Sequence, residues 1–321
     1  MNRIIFFTFF LMATCPTVLA QTDEPIQLKT DAFLLDGTLT LPTNTSGPVP
    51  VVLLLAGSGP TDRDGNSGPG LITNVHKMLA DSLVNRGIAV ARYDKRGAGK
   101  SKATDVKKVT PADRLFDAVI EDAVGFIRLL QGDKRFSKVF VVGHSEGSQV
   151  GMIAAQAANA SGFVSIAGIG RNIADVMKSQ FAYAMPDSLK SESYRILESL
   201  KAGHAVSTTS SALMKVFRPS SQTYLISWMK HDPVTDIKAY RGPVLIIQGT
   251  NDFQVAVKEA ELLNAARPDA RLVLIPNMTH MLRTYEGKEQ SENAKTYTAV
   301  TQSLSPGLVP AIAQFVKPDP H

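Results

Sequence analysis

The sequence contains almost no cysteine: Cys15 is the one cysteine among 321 residues. Beyond this N-terminal position the chain can form no disulfide and offers no thiol nucleophile and no cysteine ligand for a metal. A chain of roughly 300 residues buries about three quarters of its unfolded surface and needs no disulfide to hold its core. The length therefore fits one large domain, or one domain with an insertion.

Signatures for metals and nucleotides are also missing. The six histidines are scattered, and none belongs to a His-Glu-x-x-His motif. Gly99-Lys100-Ser101 resembles the end of a phosphate-binding loop, but Asp94 occupies the position of the required first glycine. Without that glycine the backbone amides cannot surround a phosphate. The sequence thus predicts neither a metal nor a cofactor.

The chain has little excess charge, with a formal net charge of +5. Its densest basic run lies between Lys95 and Lys108 and contains no aromatic residue. Nucleic-acid sites usually combine basic and aromatic side chains on one surface. The run is more typical of a solvated loop, and we predict no nucleic-acid partner.

No apolar run reaches the length of about 20 residues that a membrane-spanning helix needs. The short run from Ile4 to Ala13 follows Arg3 and precedes Val18-Leu19-Ala20. A positive start, a short apolar segment and small residues before a polar stretch are typical of a secretory signal peptide. We expect residues 1–20 to be removed, leaving a periplasmic or secreted protein with no stable membrane span. A retained N-terminal anchor is the alternative.

Short apolar runs alternate with helical patterns along most of the remaining chain, which indicates a mostly parallel sheet flanked by helices. Asp36-Gly37 lies between apolar residues and predicts the turn of an N-terminal hairpin. The alternation breaks from residue 171 to residue 240, where the pattern is helical. We expect an α/β domain over residues 21–321 with residues 171–240 as a helical cap insertion.

One motif organises the chemistry. The apolar run Val139–Val142 leads into Gly143-His144-Ser145-Glu146-Gly147, and a helix-compatible segment follows. A strand, a sharp Gly-x-Ser-x-Gly turn and a helix form a nucleophile elbow, in which the serine hydroxyl projects from the end of the strand. Ser145 is the candidate nucleophile, and the backbone N–H of Glu146 is a candidate oxyanion donor.

A serine nucleophile needs a base. His280 follows the last predicted strand and therefore lies at the same edge of the sheet as Ser145. His76 falls within a predicted helix, His144 is expected to pack rather than react, and His321 is terminal. The remaining histidines, His204 and His231, fall in the cap.

The acid that orients the base must also follow a strand. Asp252 does so after Val244–Gln248, although an aspartate there is also a common turn residue. Asp236 is the alternative, but it precedes that strand. The order Ser145, Asp252, His280 is the chain order expected when a nucleophile elbow in a sheet of this kind carries the serine.

The second oxyanion donor should come from a loop after an earlier strand. Gly57-Ser58-Gly59 follows the apolar run Val51–Leu55. We expect the Ser58 N–H to be the donor, with Gly57 beside it. The nearby polar residues Asp62, Arg63, Asp64 and Asn66 either shape the mouth of the pocket or stabilise this loop.

Five stretches in this order resemble the α/β-hydrolase family, and within it small bacterial carboxylesterases with a Gly-His-Ser-Glu-Gly elbow. They are Gly57–Asn66, Arg92–Ser101, Gly143–Gly147, Gln248–Asp252 and His280. The sequence departs from that pattern at Ser148, where a second glycine is common, and at Ala56, where many oxyanion loops begin with histidine. The resemblance implies an α/β-hydrolase fold whose cap precedes the strand before the catalytic acid.

The resemblance also implies cleavage of a small-molecule ester through an acyl-enzyme on Ser145. A serine peptidase or aminopeptidase, a thioesterase or acyltransferase, and a non-catalytic binding protein remain alternatives on the same scaffold. Large apolar side chains of the cap either line an acyl pocket or form the core of the cap itself, and the second use is commoner. The candidates for the pocket are Trp228, Phe181 and Tyr183. The sequence leaves the oligomeric state open.

Overall fold

The computed structural model describes residues 21–43, 45–68 and 70–318. The predicted signal peptide, with Cys15, and His321 lie outside the described residues. Within this part of the chain the strands are β1 (Gln21–Lys29), β2 (Phe33–Pro42), β3 (Val49–Leu55), β4 (Ala89–Tyr93), β5 (Lys102–Ala103), β6 (Phe136–His144), β7 (Gly162–Ile166), β8 (Val244–Gly249) and β9 (Arg271–Ile275).

The strands form one sheet in the order β1-β2-β4-β3-β6-β7-β8-β9, with the short β5 paired to β2. The pairs β1·β2, β2·β4 and β2·β5 are antiparallel. The pairs β3·β4, β3·β6, β6·β7, β7·β8 and β8·β9 are parallel. The predicted mostly parallel sheet is therefore confirmed. In such a sheet the loops after β3, β4, β6, β8 and β9 meet at one edge, where ligands bind.

The predicted turn at Asp36-Gly37 is wrong. Both residues lie inside β2, and the chain reverses between β1 and β2 over residues 30–32. Gly37 is opposite Tyr93, and a Cβ there would lie 2.6 Å from the carbonyl oxygen of Arg92. The glycine thus permits a close approach between neighbouring strands, not a turn.

Helices cover both faces of the sheet. They are α1 (Val75–Val84), α2 (Phe116–Gln131), α3 (Glu146–Ala157), α4 (Ile173–Ala184), α5 (Asp187–Lys201), α6 (Met214–Phe217), α7 (Pro219–Met229), α8 (Pro233–Ala239), α9 (Val257–Ala266), α10 (Gln290–Ala294) and α11 (Leu308–Val316). Helix α2 begins at Phe116, because Leu115 is extended and separates the helix from a 3₁₀ turn over Ala112–Arg114.

The sheet separates two hydrophobic clusters. In β3, Val51, Leu53 and Leu55 belong to the cluster under α2, α3 and the cap, whereas Val52 and Leu54 belong to the one under α1 and α11. Successive side chains of a strand point to opposite faces, so a strand buried on both faces reads as an unbroken apolar run. This core holds the loop-bearing ends of the strands in fixed positions.

Five helices, α4 to α8, lie between β7 and β8, where the sequence predicts the cap. Helix α7 packs on α2 and α5, while α8 packs on α3 and α9 beside the sheet. Trp228 of α7 donates its indole N–H to the Gln149 side chain of α3 over 2.7 Å and stacks on Phe116. These contacts seat α7 above the end of β6.

Candidate active site

Ser145 lies in a sharp turn between β6 and α3, with φ 57° and ψ −122°. These angles are strained for a residue with a side chain, and such strain is concentrated at functional sites. The turn requires its glycines: a Cβ on Gly143 would lie 2.0 Å from the carbonyl oxygen of Gly147, and one on Gly147 would lie 2.6 Å from that of Ala56. The local geometry is that of a nucleophile elbow.

The structure brings Ser145, His280 and Asp252 together. His280 Nε2 lies 3.1 Å from Ser145 Oγ, and His280 Nδ1 lies 2.8 Å from Asp252 Oδ2. His280 follows β9 and is only 3% exposed, and Asp252 follows β8. Because Asp252 accepts at Nδ1, the proton of the neutral ring is assigned to Nδ1, which leaves Nε2 free to accept from the serine.

Asp252 is held by its own turn. Its Oδ1 accepts hydrogen bonds from the backbone N–H groups of Gln254 and Val255 at 2.8 and 2.9 Å. The turn role and the site role of this aspartate are therefore compatible, because one oxygen serves each. Asp236, the alternative acid, instead accepts from Gln149 at 2.9 Å, and burial raises its pKa.

His144 contacts the loop of the base. Its Nε2–H donates to the carbonyl oxygen of His280 over 2.9 Å, and its Nδ1 then accepts from His76 over 3.3 Å. Burial lowers the pKa of His144 far below its ordinary value and lowers that of His76 to about 4, so both rings are neutral. The packing role that the sequence predicts for His144 is thus specific: it supports the backbone beneath His280.

The glycine-rich loop after β3 lies against the elbow. A Cβ on Gly57 would be 3.2 Å from the Cβ of Ser145, so the loop approaches the nucleophile as closely as a glycine allows. Within the described part of the chain, no backbone or side-chain acceptor takes the N–H of Ser58 or of Glu146. The structure therefore leaves the two amides that the sequence selects free to bind an oxyanion.

Lys95 links this loop to the elbow, a contact that sequence reasoning missed. Its Nζ lies 2.5 Å from Glu146 Oε1 and 3.1 Å from the carbonyl oxygen of Gly57. The side chains of Lys95 and Glu146 are 12% and 1% exposed, so the carboxylate is buried and the ammonium group is largely shielded from water. A trans peptide directs its C=O and N–H oppositely, so the bond to Gly57 fixes the orientation of the Ser58 N–H. The sequence predicts solvated side chains in this loop, and for Lys95 that prediction is wrong.

Four polar side chains after Gly59 stabilise the loop instead of lining the pocket, namely those of Asp62, Arg63, Asp64 and Asn66. Asp62 accepts from the N–H groups of Asp64 and Asn66, and Arg63 pairs with Asp36 and Asp94. Burial by itself would raise the pKa of Asp94, but hydrogen bonds from Arg63 and from the Lys100 N–H outweigh it and leave that pKa below its ordinary value. This network ties β2, the loop after β3 and the loop after β4 together.

A cavity of about 1180 Å³ opens above Ser145 between the sheet edge and the cap. Trp228 and Tyr224 lie on its wall, as do Met177 and Leu225. Two of the predicted pocket residues do not: Phe181 packs edge-on against Phe217 inside the cap, and Tyr183 is 67% exposed. Both side chains lie on faces of α4 that point away from the cavity, whereas Met177 of the same helix faces it. Helix periodicity alone does not show which face meets the cavity.

The cap histidines lie away from the base position. His231 pairs with Asp117 at 3.2 Å, and His204 is exposed. Among residues 21–43, 45–68 and 70–318, no group of three or more His, Cys, Asp or Glu side chains is arranged to hold a metal. Across the same ranges, no helix combines the length and hydropathy required to cross a bilayer.

Comparisons with solved structures agree with this architecture. Est1E from Butyrivibrio proteoclasticus, in a structure with bound ferulic acid, superposes with a TM-score of 0.58 at 16% identity, over 91% of this chain and 96% of that chain. Proline iminopeptidase from Mycobacterium smegmatis superposes with a TM-score of 0.57 at 16% identity, over 91% and 97%. At such low identity these similarities show the fold alone.

Sequence comparisons identify the family. Esterase EstD from Thermotoga maritima is 32% identical over 261 residues, which are 79% of this chain and 59% of that protein. The chain therefore spans less than two thirds of the length of this relative. The family model described as "Serine aminopeptidase, S33" matches residues 70–286, which run from the loop before α1 to beyond His280. The chain has the α/β-hydrolase fold and belongs to the serine aminopeptidase S33 family.

Proposed function

We propose that this protein is a carboxylic ester hydrolase that uses Ser145, His280 and Asp252 as a catalytic triad. The observation that carries the proposal is the continuous hydrogen-bond relay from Asp252 through His280 to Ser145, beneath a large cavity. The relative at 32% identity is named an esterase, which supports the same reaction.

In the first half of the reaction, Ser145 Oγ attacks the ester carbonyl carbon while His280 Nε2 accepts the hydroxyl proton. The imidazolium that forms is stabilised by Asp252, which accepts a hydrogen bond from its Nδ1–H. The carbonyl oxygen becomes an oxyanion, and the N–H groups of Ser58 and Glu146 donate to it. The intermediate then collapses, the bond to the alkoxy oxygen breaks, and His280 returns its proton to the departing alcohol.

In the second half, water attacks the acyl group on Ser145. His280 Nε2 takes a proton from that water, and the same two amides stabilise the second oxyanion. When this intermediate collapses, Ser145 regains the proton and the carboxylic acid leaves. Neither half requires a metal or a cofactor.

An aminopeptidase is the second candidate, because the family description names that activity. Such an enzyme needs an unpaired carboxylate to hold the ammonium group of the substrate. The two carboxylates on the cavity wall are Glu146 and Asp113, and both are paired, with Lys95 and Arg96 respectively. The wall as described therefore favours an ester over a peptide with a free N-terminus.

A panel of chromogenic substrates tests the choice. We expect short-chain aryl esters to be hydrolysed with a kcat/KM at least about 100-fold above that for aminoacyl and dipeptidyl anilides, because no unpaired wall carboxylate binds the ammonium group. The same panel on the Ser145→Ala variant gives the background. Faster turnover of an anilide than of every ester would make the protein a peptidase.

The ion pair between Lys95 and the buried Glu146 gives a stability prediction. We expect Lys95→Met to lower the free energy of unfolding by roughly 3–5 kcal/mol, because it leaves the Glu146 carboxylate buried without a partner. The double variant Lys95→Met/Glu146→Gln should recover most of that loss. The kcat of the double variant should remain about tenfold below that of the native protein. The Gly57 carbonyl has lost its hydrogen-bond donor, so the Ser58 N–H is held less precisely toward the oxyanion.

Urea unfolding of these variants measures the effect, and Lys100→Met is the matched control. Lys100 lies in the same loop, is exposed, and forms no ion pair with any residue that the structure describes. The control variant should unfold within about 0.5 kcal/mol of the native protein. Equal stability of the Lys95 and Lys100 variants would show that the pair contributes nothing.

We also propose that the protein is exported and that cleavage follows Ala20. The charged start, the short apolar segment and the small residues before Gln21 support this proposal. The mass of the protein recovered outside the cytoplasm tests it. A mass that still includes residues 1–20 would favour the retained anchor.

A further inference from the structure

The cavity above Ser145 has an uneven charge. Six cationic and two anionic side chains lie on its wall. The anionic residues are Asp113 and Glu146, and the cationic residues are Lys95, Arg96, Lys102, Arg114, Lys215 and Arg218. The wall therefore carries four positive charges in excess, whereas the whole chain carries only +5.

Two of the six cations are already neutralised. Lys95 pairs with Glu146, and Arg96 pairs with Asp113 and with the buried Asp122 behind the wall. These pairs occupy both carboxylates of the wall. They hold the loop after β4 against the elbow and against α2. Counted with Asp122, they contain two cations and three carboxylates, so they add no positive charge to the cavity.

The other four cations, Lys102, Arg114, Lys215 and Arg218, are exposed and form no ion pair with any residue of the described ranges. Among the described residues, the Arg218 side chain donates to the Ser220 hydroxyl alone, over 3.1 Å. Two of the four lie on the segment between β4 and α2, and two lie on the cap near the start of α7. Both walls of one cavity thus present positive charge.

We propose that the ester cleaved at Ser145 carries an anionic group, a carboxylate or a phosphate, which these four cations bind. Positive side chains on the walls of a cleft focus their field into it and raise the local concentration of an anion. A neutral apolar acyl chain in the same place would remove water from charges that have no partner. The proposal rests on the ester hydrolase function given above, and it adds the class of substrate.

Matched p-nitrophenyl esters test the proposal. One has an acyl group ending in a carboxylate, one ends in a phosphate, one ends in the methyl ester of the same carboxylate, and one ends in a trimethylammonium group. We expect kcat/KM to be about tenfold higher for an anionic ester than for the neutral one, since several exposed charge pairs each contribute a small gain. The difference should lie in KM, because the contact is the same in the ground and transition states.

The preference should also depend on salt. The Debye screening length is about 10 Å at 0.1 M ionic strength and about 3 Å at 1 M. The ratio of kcat/KM for the anionic ester to kcat/KM for the neutral ester should therefore fall toward one at high salt. The order of the carboxylate and phosphate esters identifies which anion the site prefers. An equal or higher kcat/KM for the neutral or the cationic ester at low salt would overturn the proposal.

Charge-removing variants locate the effect. Two double variants should each lower the ratio of kcat/KM for the anionic ester to kcat/KM for the neutral ester: Lys102→Gln/Arg114→Gln and Lys215→Gln/Arg218→Gln. The fourfold variant, which combines them, should bring that ratio close to one. Lys107→Gln/Lys108→Gln is the matched control, because it removes two charges from the same exposed segment but from side chains that do not line the cavity. An unchanged ratio in the fourfold variant would overturn the proposal.

The outcomes separate this proposal from the hydrolase function itself. Cleavage of the neutral ester without any preference for an anionic one would overturn only the substrate class. Failure of every ester, together with no labelling of Ser145 by a fluorophosphonate, would overturn the hydrolase function. In that case, calorimetric titration with adipate still tests whether the four cations bind an anion. Binding by the native protein that is lost in the fourfold variant would support anion binding, and no binding by the native protein would overturn it.

Discussion

Replacing Ser145 with alanine is expected to lower kcat for aryl esters by about 10⁵- to 10⁶-fold. The variant loses the only hydroxyl within 3.1 Å of His280 Nε2 among the described residues, so no acyl-enzyme can form. A fluorophosphonate should label the native protein on Ser145 and leave the variant unlabelled. Mass spectrometry of the labelled peptide measures this directly.

Ser148→Ala is the matched control for that experiment. Ser148 lies one turn further along α3, is fully buried, and shares a 2.7 Å hydrogen bond with Ser165. Its loss should cost about 1 kcal/mol of stability and leave labelling intact. Ester turnover by the Ser145 variant at the native rate would refute the proposed nucleophile.

Replacing His280 with alanine should lower kcat by a similar factor, because no other described base lies within hydrogen-bond distance of Ser145 Oγ. His231→Ala, in the cap, is the control and should retain most of the activity. If the His231 variant were inactive and the His280 variant active, the catalytic base would be His231 of the cap and not His280.

Asp252→Asn should lower kcat by about 10⁴-fold. Asp252 accepts from two backbone N–H groups through one oxygen and from His280 through the other. An asparagine whose oxygen faces the backbone would present its NH₂ to Nδ1 and place the imidazole proton on Nε2. The ring could then no longer accept from Ser145. Full activity of this variant, measured as kcat on the same ester, would exclude the proposed role of Asp252.

The fold was predictable where a local pattern has one structural meaning. Apolar runs such as Val51–Leu55 predict strands buried on both faces, and the structure places those strands in the parallel part of the sheet. Asp36-Gly37 misled the prediction because a glycine required by close strand approach has the same sequence signature as a turn glycine. The opposing carbonyl of Arg92 distinguishes the two, and it belongs to a strand more than fifty residues away.

The residues that line the cavity were less predictable than the residues of the candidate triad. Trp228, Phe181 and Tyr183 are equivalent in sequence as large aromatic residues of a cap. Only packing separates them: Trp228 is anchored to Gln149 at the cavity wall, whereas Tyr183 faces solvent. Which face of a helix meets the cavity depends on how α4 and α7 dock, and no local propensity encodes that docking.

The sequence by itself determines the candidate triad of Ser145, Asp252 and His280, because each follows a strand and parallel strands end at a common edge. Only the tertiary structure decides the supporting contacts. Lys95 reaches Gly57 and Glu146 across 38 and 51 residues of sequence, and His144 reaches the backbone of His280 across 136. The sequence places Lys95 in a basic run typical of a solvated loop and predicts only that His144 packs, so it identifies the partner of neither residue. Their roles follow from the order of the strands in the sheet, which places these distant segments next to each other. A buried polar group is stable only when it has a hydrogen-bond partner, and here the neighbouring segment supplies that partner.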